Sequence, residues 1–151
     1  MIQRKQTLFL LIAVVVAIVC LCLPLGDFTT SMPGEASTMY NLWIVRPDGT
    51  YDWSIWALFA ILLITCPIAL VAIFSYHNRK AQSRFCMFNI LLSLGWYVVF
   101  AVTAFGLKGS MGKFDVSFNA ILPAVSMILY FMARKAILAD EALVRSADRI
   151  R

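Results

Sequence analysis

The sequence predicts an all-α membrane protein: a four-transmembrane-helix bundle with a short β-hairpin in the first outer loop and a cytoplasmic C-terminal amphipathic helix. Three observations carry that expectation. Of 151 residues, 62% are hydrophobic and 14% charged, whereas a soluble domain is about 45–50% apolar and about 25% charged. Four long stretches contain no Asp, Glu, Lys or Arg. The basic residues gather on one side of those stretches. Together these exclude a disordered chain, a disulfide scaffold and almost any soluble fold.

The four stretches are residues 7–25, 53–76, 85–107 and 116–133. Hydrocarbon about 30 Å thick needs roughly 20 apolar residues as a helix, so each is long enough to cross. Within lipid the backbone must satisfy its own hydrogen bonds, which selects helices, and none of the stretches alternates as a barrel strand would. The first is expected to be an uncleaved signal anchor: its apolar run is long, and Leu23-Pro24-Leu25-Gly26 offers no small-x-small cleavage site. Pro67 in the second and Pro123 in the fourth are expected to bend their helices.

Between the first two spans lies an outer loop, 26–52. Its first half is rich in turn formers. In its second half two aromatic and β-branched runs flank Arg46-Pro47-Asp48-Gly49, where Pro in second place and Gly in fourth suit a type I turn. A hairpin is expected there, leaning on the helix ends because two strands alone are marginal in water. The segment His77–Arg84 is expected to be a short cytoplasmic loop whose cations snorkel to lipid heads, and Lys108–Asp115 a flexible glycine-containing turn. Residues 1–134 thus form the transmembrane domain and 135–151 a helical tail. In that tail Ala136, Ile137, Asp140, Leu143, Val144, Ala147 and Ile150 recur at amphipathic spacing, and Glu141 precedes Arg145 by four.

Ten of the 13 Lys and Arg residues lie before the first span, between the second and third, or after the fourth. The positive-inside rule then puts both termini in the cytoplasm of a multi-pass protein. The formal charge of +5 is a topology signal and an attraction to membrane lipids; it carries no pattern of nucleic-acid recognition.

Chemistry-bearing groups are sparse. The spans hold no ionisable residue apart from His77 at an edge, which argues against a proton-coupled transporter. Cys20, Cys22, Cys66 and Cys86 lie in or at the edge of spans and are expected to be buried small hydrophobes. No hydrolase, kinase or zinc-protease motif occurs, so no enzyme activity, cofactor or metal site is expected. Three sets of residues remain. Leu143, Val144, Ala147 and Ile150 are candidates for docking a protein partner or a second copy. Tyr40, Trp43, Tyr51 and Trp53 are candidates for an outer-face contact or the interfacial belt. Asn89, Ser93 and Asn119 are neutral polar candidates inside the membrane. The leading expectation is a non-enzymatic accessory or scaffold subunit of a membrane assembly. The alternative is a binder or carrier of a neutral or lipidic small molecule through the Asn89 set. A third, an interfacial enzyme, would need Asp48, Asp52 and Asp115 to converge.

Three stretches together resemble a family of small membrane proteins of Bacteroidota known as domain of unknown function 4293: the start Met1-Ile-Gln-Arg-Lys-Gln-Thr, the loop Asn78-Arg-Lys-Ala-Gln-Ser-Arg84, and the closing segment from Arg134 to Arg151. The resemblance spans essentially the whole chain. It implies a bacterial inner-membrane location and four spans, and no activity. The layout is also similar to claudin-like tetraspans, with Leu42-Trp43 in the first outer loop, but lacks their paired loop cysteines.

Overall fold

The computed structural model describes residues 3–29, 35–75 and 78–148. In chain order they form α1 (Gln3–Cys22), β1 (Gly26–Thr29), β2 (Ala36–Met39), β3 (Ile44–Val45), β4 (Tyr51–Asp52), α2 (Trp56–Phe74), α3 (Arg79–Met111), β5 (Lys113–Val116), a 3-10 turn (Phe118–Ile121) and α4 (Leu122–Asp148). All four helices are long and apolar enough to cross a membrane.

Each helix buries one residue in alternating steps of four and three. In α1 these are Gln6, Leu10, Ala13, Ala17 and Cys20; in α2, Leu58, Leu62, Thr65, Ala69 and Ala72. In α3 they are Gln82, Cys86, Asn89, Ser93, Trp96 and Phe100; in α4, Ser126, Tyr130, Ala133, Ile137 and Asp140. A 3.5-residue period keeps one seam facing its neighbours at the shallow crossing of coiled-coil packing. The alanines let backbones approach closely. α1 packs on α2 and α4, and α3 on α2 and α4, so the helices stand at the corners of a square.

One end of the square carries the sheet; the other carries the N-terminal end of α1, the α2–α3 turn and the far end of α4. The sheet has five antiparallel strands in the order β4-β3-β2-β1-β5. Its hairpin is the expected one: Gly49 N–H donates to Arg46 O, Arg46 N–H to Thr50 O, and Gly49 sits at φ 78°. That is a type I turn closed by a left-handed residue, a conformation that favours glycine.

Several expectations need correction. The turn-rich first half of the outer loop contains β1 and β2, and the hairpin is one edge of a larger sheet rather than a lone pair. Lys108–Asp115, expected as a turn, is helix and strand: α3 continues to Met111, Gly112 ends it at φ 91°, and β5 then pairs with β1 in the register Gly26↔Val116 to Thr29↔Lys113. The segment taken as a cytoplasmic loop is largely helix. Asn78 caps α3 by accepting from Ala81 N–H, so Arg79 already belongs to the helix. Pro123 lies in the first turn of α4, where a missing N–H is one of the orphans anyway, so it does not interrupt the helix. Cys22 is exposed, unlike Cys20, Cys66 and Cys86. The tail does continue the fourth helix, unbroken to Asp148.

Candidate functional site

At the sheet end, Tyr40, Trp43, Tyr51 and Trp53 do come together. Tyr40 N–H donates to Trp43 O, which folds the indole back over the hairpin. The Trp43 ring centroid then lies 6.2 Å from Tyr40, 5.8 Å from Tyr51 and 5.3 Å from Trp53, edge-on to the last two. These are favourable aromatic geometries. Tyr51, Trp53 and the neighbouring Trp56 are more than half exposed. An Arg46 Nη2–Asp52 Oδ2 ion pair of 2.6 Å braces the same hairpin. The Arg46 hydrogen bond, then the Ser54 N–H, hold the Asp52 carboxyl below the usual carboxylate range. The Thr50 hydroxyl, then its N–H, do the same for Asp48.

Asp115 does not join them. It lies on β5, the opposite edge of the sheet from Asp52 on β4, four strand spacings or about 19 Å away. The three-aspartate site expected of an interfacial enzyme therefore does not form. Among the described residues no three His, Cys, Asp or Glu side chains are placed to share a metal ion.

Inside the square, Asn89 and Ser93 face the core, fully buried, and the Ser93 hydroxyl donates to Asn89 O one turn back. Neither Asn89 Oδ1 nor Nδ2 makes a hydrogen bond. Asn119 is not part of this group. It sits in the 3-10 turn and donates to Pro24 O at the sheet end. Tyr97, whose hydroxyl donates to Ala120 O, marks that level on α3, eight residues or about 12 Å from Asn89. The same Tyr97 oxygen accepts from Ala124 N–H, satisfying an orphan donor in the first turn of α4.

At the far end, polar groups tie the helices together. Gln6 Nε2 donates to Ala136 O, and Arg79 Nη1 donates to Asp140 O. Arg79 Nη1 also lies 2.8 Å from Asp140 Oδ2, a close ion contact without an aligned hydrogen bond. Ile137 is fully buried and Asp140 nearly so. One turn further the same side of α4 is open among the described residues. Leu143 and Val144 are 57% and 46% exposed, although Val144 lies one heptad beyond Ile137. The side chain of Ala147, and Ile150 altogether, lie outside the described residues, as does His77.

The residue that does most at the sheet end was not singled out in the sequence. Asn41, fully buried, donates from Nδ2 to Cys20 O at 2.7 Å and accepts from Trp96 Nε1 at 3.1 Å, while its own carbonyl accepts from Phe59 N–H. It joins α1, α2 and α3 beneath the sheet. The only signal for it was one amide inside the aromatic run Tyr40-Asn41-Leu42-Trp43. Arg79 stands among loop cations expected to reach lipid heads, and Gln6 lies in the short polar start before the first span with no signal of its own.

Four helices long and apolar enough to cross a membrane, closed at one end by a small antiparallel sheet, are the marks of the multi-pass class. Within that class the chain belongs to the family described as a domain of unknown function (DUF4293), which matches residues 2–150. No curated protein matches the sequence.

Proposed function

We propose that this is a multi-pass protein of the bacterial inner membrane, in Bacteroidota as the family resemblance implies, with both termini in the cytoplasm. On this reading it is a non-enzymatic accessory or scaffold subunit of a membrane assembly. The membrane part is supported by the outward faces of the helices, which are as apolar as the core. Leu11, Val15, Leu63, Leu91, Val98 and Phe131, among others, point outward, while the amides of Gln6, Gln82 and Asn89 and the Asp140 carboxylate are buried among apolar side chains. No more than a third of each spanning window is buried within the chain. In water such a surface would be an aggregation hazard; in lipid it is the solvated face. The orientation is supported by the lysines and arginines gathered at the end opposite the sheet.

The scaffold part rests on one observation: the packing face of α4 runs on past its partners among the described residues. Up to Asp140 that face is covered by α1 and α3. The remaining eight helical residues project about 12 Å further with Leu143 and Val144 uncovered. A helix from a cytoplasmic partner, or from a second copy, fits that continuation. A photo-crosslinking residue at Val144 in native membranes should give a discrete protein adduct, and Leu143→Asp should reduce it at least tenfold without changing the melting temperature. Lipid-only adducts, or adducts indifferent to Leu143→Asp, would contradict the scaffold reading.

A second reading, a binder of a lipidic molecule, draws on two apolar grooves either side of Val116. One, of about 340 Å³, is lined by Tyr97, Phe118 and Ile121; the other, of about 220 Å³, by Ala104, Phe105, Lys108 and Phe114. Phe100 contributes to both. On this reading the site lies beside β5 rather than at Asn89, Ser93 and Asn119. Val116→Trp should block the grooves and abolish retention of a co-purifying lipid; unchanged retention would remove the idea.

A further inference from the structure

The first turns of α3 carry three cations with different fates. Arg79 is taken by Asp140. Lys80 and Arg84, one turn apart on the outward side, form no ion pair with any described carboxylate. They line a groove of about 440 Å³ together with Asn78, Ala81, Phe85 and Phe88. Among the described residues no acidic side chain lines it. Lys80, Arg84 and Phe88 recur every fourth residue, so the groove changes over about 12 Å of helix from two cations to the half-buried Phe85 and exposed Phe88 rings. Phe88 is 61% exposed, with Met87 beside it. The Asn78 side chain accepts from Ala81 N–H and fixes the start of the helix at the cationic end.

We propose that this groove is a binding site for one anionic phospholipid of the cytoplasmic leaflet. Its phosphodiester lies between Lys80 and Arg84, and an acyl chain runs along Phe85 and Phe88. Two unpaired cations without a competing carboxylate select an anion. The apolar lower half, continuous with the lipid-facing side of α3, selects an amphiphile over a soluble phosphate. The proposal rests on the membrane orientation argued above and concerns a site separate from the α4 face.

The test uses the full chain in phosphatidylcholine nanodiscs with increasing phosphatidylglycerol, counting retained lipid by native mass spectrometry. One phosphatidylglycerol should be held per chain. K80Q/R84Q should weaken its retention about thirtyfold, following the attraction of two surface cations, and F88S should weaken it several-fold. K5Q/K135Q, which removes two exposed cations from the same end of the molecule, should leave it within twofold. Melting curves of the variants establish that each is folded. Equal weakening by both charge pairs would mean diffuse attraction and overturn the site. So would the absence of any phosphatidylglycerol preference. Full competition by millimolar inorganic phosphate, together with no effect of F88S, would overturn the lipid in favour of a free-phosphate site. A chain that will not insert into discs at all would overturn the membrane reading itself, whereas insertion without lipid preference would overturn only the groove.

Discussion

Asn41 and Asn89 are both fully buried amides, yet they stand in opposite situations. Asn41 spends its donor on Cys20 O and its acceptor on Trp96 Nε1. Replacing it by Leu leaves the buried Trp96 indole N–H unpaired, at about 1–3 kcal/mol, and takes from Cys20 O its shorter hydrogen bond, leaving only the one from Leu23 N–H at 3.4 Å, at about 1 kcal/mol more. Asn41→Leu should therefore lower stability by about 2–4 kcal/mol, seen as a melting-temperature loss in detergent; an unchanged melting temperature would remove Asn41 from its joining role. Asn89 has neither atom bonded, so Asn89→Leu exchanges two unsatisfied groups for apolar contact and should raise stability by about 1–3 kcal/mol. A loss on that substitution would show that the amide is engaged. Sequence distinguishes these two poorly. Asn89 is conspicuous because it interrupts an apolar stretch, whereas Asn41 lies in a loop where polar residues are ordinary. Its importance comes from three helices meeting it from distant parts of the chain.

The elements were legible in proportion to how local their causes are. Spans follow from composition, and the hairpin from Pro47 and Gly49, so both were readable. β5 was not, because its strand character comes from pairing with β1, more than eighty residues earlier in the sequence. Phe114 is the packing residue of that pairing, with its ring 4.5 Å from Phe28 and 6.0 Å from Phe100. Gly26 is what allows it: a Cβ there would lie 2.6 Å from the Phe114 ring and 2.7 Å from Asp115 O. The backbone oxygen cannot move aside without shifting the strand. Gly26→Ala should cost about 1–3 kcal/mol, while Gly95→Ala, which meets nothing within 4 Å, should be neutral or slightly stabilising in its helix. Equal effects of the two would contradict the β1–β5 packing. The hairpin should also respond to acid. Asp48 and Asp52 are held low in the fold, so their contribution is complete above the unfolded carboxyl value and is lost as pH falls through the folded ones. Between about pH 5 and about pH 2 the emission of Trp43 and Trp53 should change, and Asp52→Asn should weaken the hairpin already at neutral pH. A pH-independent emission would show that the Arg46–Asp52 pair does not brace it.

For the whole molecule, the central proposition is that the outward apolar faces meet lipid, with the sheet on one side and both chain ends on the other. The even number of helices, the shared 3.5-residue seam and the cations at the end opposite the sheet all agree with it. What the sequence could not convey is how the tail end closes. There Gln6, Arg79 and Asp140 bind helices to one another across the square, turning residues that read as flanking charge into internal ties. The same closure leaves Leu143 and Val144 uncovered, which is why that face carries the functional proposal. The arrangement is tested most directly by single cysteines at Gly49 in the hairpin and at Lys135 beside the tail, in a chain whose exposed Cys22 is replaced by Ser, probed in intact cells with a membrane-impermeant maleimide. The account predicts labelling at position 49 before lysis and at position 135 only after the membrane is opened. Labelling of position 135 in intact cells, or of both positions alike in protein recovered without detergent, would contradict it.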